Sequence, residues 1–182
     1  MKTLANTSLA TGAMLLLYSS ALVVQHYNPA RLHFWGMNSV AIQAEFNIRP
    51  ERIVIKRIGI DVPVVSVPSF ENRWEISPEG ASYLETSPLP GTQGNSIIYG
   101  HNWSSIFQHL TNVKPGDFIE VYMSDKTRRV FGVTATQTVD PSATEVLKPA
   151  SDRHLTLYTC TGFLDTKRFV VSATLQSQIA SN

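Results

Sequence analysis

A cysteine and an arginine at the two ends of a predicted hairpin are the first candidates for chemistry in this sequence. The single cysteine, Cys160, ends a β-prone run, and Arg168 begins the next such run after a loop of seven residues. Opposite residues in a hairpin have Cβ atoms ~5 Å apart, so both side chains could face one site. A nearby guanidinium favours the thiolate, which is the nucleophilic form of cysteine. The alternative interpretation is a small buried cysteine beside a surface arginine.

A nucleophilic thiol also needs an imidazole that can move protons. Of the five histidines, two lie near the N-terminus and His109 lies on a predicted helix. His154 lies six residues before Cys160 on the same predicted strand, and at ~3.3 Å per residue the two are ~20 Å apart. His101 directly follows Gly100 at the end of a predicted strand, where a side chain can project into a cleft. The residues alone leave open whether His101 serves such a site or is a loop histidine with local hydrogen bonds.

The elements that must position these side chains are mainly strands. From residue 52 onward, short β-prone runs alternate with turn residues, and many short strands in one unit favour a closed barrel or a sandwich. The eight predicted strands are Arg52–Ile58, Val62–Val67, Arg73–Ile76, Ser96–Gly100, Asp117–Met123, Arg128–Thr138, His154–Cys160 and Arg168–Leu175. Two short helices are predicted, over Ser104–Asn112 and Asp140–Leu147.

The N-terminus differs from the rest of the chain. Residues 3–30 contain no Lys, Arg, Asp or Glu, and the apolar part runs for 21 residues from Leu4 to Val24. A membrane-spanning helix needs ~20 residues, so we expect a signal anchor with an extracytoplasmic domain behind it. A cleaved signal peptide, cut near Ala21, is the alternative. The predicted organisation is a cytoplasmic tip and anchor over 1–28, a connector over 29–50, a catalytic domain over 51–178 and a tail over 179–182.

Composition excludes several other functions. The net charge is +1, from 15 basic and 14 acidic residues, and no basic stripe points to nucleic acid. One cysteine can form neither an internal disulfide nor a thiolate zinc site. The glycines form no phosphate-binding pattern, and the acidic residues form no calcium-type cluster. We therefore expect no cofactor and no metal.

Three motifs together resemble the sortase family of cell-surface cysteine transpeptidases. Residues 156–160 read TLYTC and match the family's TLxTC motif, while residues 94–101 read GNSIIYGH and resemble the stretch that ends at the family's histidine. Arg168 occupies the place of the family's arginine on the strand after the cysteine, and Pro115-Gly116-Asp117 is also similar. The resemblance covers about residues 50–176. It implies an all-β fold, a closed eight-stranded barrel with one or two short helices, preceded by a transmembrane helix.

The resemblance also implies a mechanism. Cys160 would be the nucleophile that attacks a Thr–Gly-type bond in a C-terminal LPxTG-like sorting signal, giving a thioacyl-enzyme. His101 would protonate the leaving amine and later act as the base, and Arg168 would hold the oxyanion or the sorting peptide. The acceptor would be an amine of a cell-wall precursor or a pilin lysine.

Two other functions stay open at this point. One is an exported cysteine peptidase or hydrolase on the same fold, and the other is a membrane-anchored β-domain that only binds peptides. The subfamily stays open as well, because Tyr158 is bulky at the variable position of TLxTC and no Asp-Pro-aromatic lid segment precedes the domain.

Overall fold

The structure is a computed structural model that describes residues 13–23, 48–70 and 73–180. The chain divides into two units, Met1–Arg31 and Leu32–Asn182. In the first unit, residues 13–23 form a helix, and several of its apolar side chains are exposed. Among the described residues, no helix is both long and apolar enough to cross a membrane. The remainder of the predicted anchor and most of the predicted connector lie outside the described residues.

The second unit is a closed barrel. Its strands, in chain order, are β1 (Pro50–Ile55), β2 (Ile60–Val67), β3 (Ser69–Phe70), β4 (Arg73–Trp74), β5 (Ala81–Leu84), β6 (Gly94–Gly100), β7 (Phe118–Met123), β8 (Thr127–Val139), β9 (Arg153–Thr161) and β10 (Lys167–Ala180). Eight of them close the barrel in the order β1-β2-β5-β6-β9-β10-β8-β7. Strands β3 and β4 pair only with each other. The predicted closed eight-stranded barrel is therefore confirmed.

Alternation along the strands gives the barrel an apolar interior, since successive side chains of a strand point to opposite faces. We call the buried apolar side chains inside the barrel the interior cluster, and all eight barrel strands contribute to it. Its members include Ile53 and Ile55 of β1, Val62 of β2, Tyr83 of β5, Ile98 of β6, Val121 of β7, Phe131 of β8, Leu157 of β9 and Val171 of β10. Residues between these positions face outward.

A second apolar set, the outer cluster, covers the outside of the sheet around β5, β6, β9 and β10. Its buried members are Val67, Trp74, Leu84, Ile97, Tyr99, Leu147, Tyr158, Cys160 and Val170. Trp74 comes from the small β3–β4 hairpin, and its ring lies 4.9 Å from the ring of Tyr99. The Tyr99 hydroxyl donates a hydrogen bond to the Glu75 carbonyl. This outer layer is where the cysteine lies.

One predicted barrel strand was wrong. The predicted strand Arg73–Ile76 is only the two-residue β4 of the separate hairpin, and the barrel strand in this part of the chain is β5. β5 pairs in parallel with β2 and antiparallel with β6. Trp74 and Ile76 have the two-residue apolar spacing of a strand, but their side chains pack on the outer cluster and are not part of a barrel strand.

Other boundaries also differ from the prediction. The first strand stops at Ile55 because Lys56–Ile58 is a 3₁₀ turn, closed by Gly59 at φ 68°. The two predicted helices are 3₁₀ turns, over Gln108–Asn112 and Thr144–Leu147. The apolar face predicted for the first helix is nevertheless buried in the interior cluster, through Ile106, Phe107 and Leu110.

Candidate active site

The β9–β10 hairpin brings Cys160 and Arg168 together. Its register pairs the two residues directly, as the seven-residue loop predicts. Cys160 is 6% exposed and Arg168 is also 6% exposed. A buried guanidinium opposite a buried thiol makes the position electropositive, which is a setting that favours the thiolate.

His101 reaches the same place from another part of the chain. Strand β6 pairs in parallel with β9, and Gly100 is the register partner of Thr159, so His101 follows at the level of Cys160. Both residues continue the outward-facing positions of Tyr99 and Tyr158. His101 is 9% exposed. The three predicted site residues therefore lie at one end of the outer face, Cys160 on β9, Arg168 on β10 and His101 directly after β6.

The other histidines of the described residues lie elsewhere. His154 pairs with Thr174 near the opposite end of β9, and its Nδ1 lies 3.6 Å from Asp152 Oδ2. His109 is in the 3₁₀ turn Gln108–Asn112. His154 is therefore far from the thiol along β9, and His109 is exposed.

Local packing explains why a glycine precedes His101. A Cβ atom at Gly100 would lie 2.9 Å from Ile106 Cγ2 and 3.1 Å from Phe107 Cδ2. The Thr159 hydroxyl donates a hydrogen bond of 2.8 Å to the Gly100 carbonyl. Because Thr159 alternates with Cys160 along β9, its hydroxyl faces away from the thiol and fixes the two strands to each other.

An indole ring sets the plane of the imidazole. The rings of His101 and Trp103 are parallel within 5°, with their centroids 4.1 Å apart. This stack restricts rotation of the imidazole about its side-chain bonds. Trp103 was missed by sequence reasoning, and its only signal was an aromatic residue two positions after the histidine.

The loop after β9 holds the guanidinium. Arg168 Nη1 donates hydrogen bonds to the Asp165 carbonyl at 2.8 Å and to the Lys167 carbonyl at 2.9 Å. Leu164 and Asp165 have φ values of 53° and 57°. Residues other than glycine adopt this left-handed backbone conformation at a cost in free energy. These contacts fix Arg168 with respect to the loop backbone.

A buried phenol completes the surroundings of the thiol. Burial raises the pKa of Tyr158 above its usual range, the positive charge of Arg168 lowers it in part, and a negative charge on Cys160 raises it. Tyr158 is fully buried. The phenol thus belongs to the same electrostatic unit as the thiol and the guanidinium.

No group of three or more His, Cys, Asp or Glu side chains among the described residues is arranged to hold a metal ion. The chemistry available to the arrangement is that of a thiol, an imidazole and a guanidinium, which suits acyl transfer through a covalent intermediate. The arrangement is recognised by its geometry, since thiol–imidazole pairs recur on unrelated folds.

Comparison with known proteins identifies the domain. The family model described as the sortase domain matches residues 53–176. Sortase A of Listeria monocytogenes is 31% identical to the chain over 102 residues, which are 53% of this chain. The match covers 45% of that protein, so the chain spans less than half the length of this curated relative.

Solved structures show the same barrel. The crystal structure of Listeria monocytogenes sortase A superposes with a TM-score of 0.62 at 24% identity, covering 74% of this chain and 91% of that chain. Sortase A from Corynebacterium diphtheriae has a TM-score of 0.62 at 26% identity, covering 71% and 61%. From the match of the family model to most of the barrel, the chain belongs to the sortase family.

Proposed function

We propose that the chain is a cysteine transpeptidase that cleaves a sorting signal and transfers the acyl part to an amine. The observation that carries the proposal is the pairing of Cys160 with Arg168 in one hairpin, with His101 at the same level directly after the neighbouring strand β6. Family membership supports the same reaction class. A C-terminal LPxTG-like signal is the proposed substrate.

In the first half of the reaction, the Cys160 thiolate adds to the carbonyl carbon of a Thr–Gly-type peptide bond. The tetrahedral intermediate collapses, the C–N bond breaks, and His101 gives a proton to the leaving amine. The product is a thioester between the substrate and Cys160. Arg168 donates hydrogen bonds to the oxygen on which negative charge develops, and that charge is larger in the tetrahedral intermediate and its flanking transition states than in the bound peptide.

In the second half, an incoming amine attacks the thioester carbonyl, and His101 accepts the proton that the amine loses. The C–S bond breaks and returns the thiolate. The proposed acceptors are an amine of a cell-wall precursor or a lysine of a pilin. The low exposure of Cys160 and His101 supports transfer over hydrolysis, because a bound acyl group would leave little room for bulk water.

The experiment is to trap the thioester. The purified protein is mixed with a panel of LPxTG-like peptides, and its intact mass is measured with and without an added amine. We expect a mass increase that equals the acyl fragment, absent in Cys160→Ala, and a ligated peptide when the amine is present. Cleavage with no ligated product would favour a hydrolase, and peptide binding with an unreactive thiol would favour a binding domain.

We propose further that an N-terminal helix anchors the protein in the membrane, with the catalytic domain outside the cytoplasm. The support is the charge-free stretch over residues 3–30 and the exposed apolar side chains of the helix over residues 13–23. Intact-mass analysis of protein extracted from membranes is expected to show the uncleaved N-terminus. A mature chain that begins near Leu22 would instead identify a cleaved signal peptide.

A further inference from the structure

The indole that lies on His101 has no role in the two half-reactions described above. Trp103 and His101 stack face to face, with ring planes within 5° of parallel and centroids 4.1 Å apart. By comparison, the rings of Trp74 and Tyr99 in the outer cluster are tilted by 41°, with centroids 4.9 Å apart. A tilted pair touches along an edge, whereas the close parallel pair covers one face of the imidazole.

Trp103 is itself held by the turn that follows it. Its backbone carbonyl accepts hydrogen bonds from the N–H groups of Ile106 and Gln108, both at 3.0 Å, and the His101 carbonyl accepts one from the Phe107 N–H at 3.2 Å. Ile106 and Phe107 are buried in the interior cluster, and Trp103 packs against that cluster. The indole is therefore tied to the core of the barrel, and the imidazole lies on a fixed surface.

The plane of an imidazole decides where it can give or take a proton. Both ring nitrogens direct their N–H or lone pair within the plane of the ring. A general acid or base needs a nitrogen within hydrogen-bond reach of the moving proton, so rotation of the ring removes it from that line. The stack uses a face of the ring and neither nitrogen, whereas a carboxylate that orients an imidazole takes up one nitrogen.

We propose that Trp103 is a positioning residue for His101: its indole holds the imidazole in the plane in which it protonates the leaving amine and accepts the proton of the incoming amine. The proposal rests on the transpeptidase function proposed above. Trp103 touches no reacting atom in this assignment, so its effect on the rate passes through His101. Cys160 and Arg168 lie on β9 and β10, so alkylation of the thiol should not depend on Trp103.

The variant that tests the proposal is Trp103→Leu, which keeps an apolar side chain and removes the stack. We expect kcat for thioester formation to fall about tenfold with little change in KM, which is within the ~10²-fold cost of misplacing a reacting group by ~1 Å. Trp103→Phe keeps an aromatic face and should restore most of the lost rate. The matched control is Trp74→Leu, which loses an indole that contacts Tyr99 instead. It is expected to lower Tm and to keep kcat.

A change of leaving group separates proton transfer from a general loss of structure. A 4-nitrophenyl ester of the same acyl sequence also acylates Cys160, but its C–O bond breaks to release a phenolate that needs no proton from His101. Trp103→Leu should therefore react with the ester at close to the wild-type rate and with the peptide about tenfold more slowly. An equal fall with both substrates would overturn the proposal, and so would a folded Trp103→Leu protein with wild-type kcat on the peptide.

Proton NMR gives a readout that needs no activity. The imidazole C–H protons of His101, assigned by their absence from the spectrum of His101→Ala, lie over the indole face and should resonate upfield. In Trp103→Leu they should move downfield, while those of His109 and His154 stay in place. Unchanged His101 resonances would overturn the positioning role. If the wild-type protein acylates no peptide of the panel, the transpeptidase function and the expected rate effect both fail, and the NMR comparison alone decides whether Trp103 positions His101.

Discussion

Arg168→Lys is expected to form the thioester ~10²–10³-fold more slowly than the wild-type protein, the cost of losing one oxyanion-type donor. Both residues are cations, so the charge near Cys160 is kept. A lysine ammonium, however, is a flexible point charge that cannot reproduce a planar fork of donors. The Asp165 and Lys167 carbonyls accept hydrogen bonds from Nη1 of the guanidinium, and the strand register places Arg168 opposite Cys160. Lysine has no planar group that could make the same contacts.

The measurement compares two reactions of the same folded variants. Alkylation by iodoacetamide reports the reactivity of the thiol alone, and thioester formation with a sorting-signal peptide reports the whole site. Arg168→Lys should retain alkylation and lose most acylation, and Arg168→Ala should acylate at least as slowly. Near wild-type acylation by Arg168→Lys would reduce Arg168 to a generic positive charge.

His101→Ala is expected to abolish transfer, with a loss of ~10²–10⁴ in rate, the usual contribution of a general acid–base. The leaving amine then has no proton donor, and the incoming amine has no base. His154→Ala and His109→Ala should keep most of the activity. His154 lies toward the other end of β9, and the His109 side chain is exposed on a 3₁₀ turn.

The three histidine variants are compared by rate of peptide transfer, with circular dichroism to establish that each is folded. His154→Ala and His109→Ala serve as matched controls for the loss of an imidazole. A folded His154→Ala protein without activity would show that the base has been assigned to the wrong strand.

The part of the site that sequence could predict is the part that is local. Cys160 and Arg168 are joined by a short loop, so the hairpin rule alone brings them together. His101 is 59 positions before Cys160, and their proximity depends on a parallel pairing that no local pattern encodes. The resemblance of the motifs to a family supplied that link.

The missed features have a physical reason as well. Strand β5 is buried at all four positions, so it lacks the alternation that marks a half-exposed strand. The predicted strand at Arg73–Ile76 had the alternation but belongs to a covering hairpin. Trp103 acts through its ring stack on His101, and an aromatic residue in a sequence indicates packing before anything else.

The parallel pairing of β6 with β9 also bears on how the protein folds. Strands paired across such a long stretch of chain must close a large loop before their contacts stabilise anything, and domains rich in such contacts fold slowly. Cys160 and His101, the proposed nucleophile and base, come together only when these two strands pair and the barrel closes. Because Cys160 and His101 come to the same level only through this pairing, the recovery of acylation activity during refolding reports closure of the barrel. Assembly of the proposed site and global folding are in this sense one event, and a partly folded chain has the thiol but not the imidazole beside it.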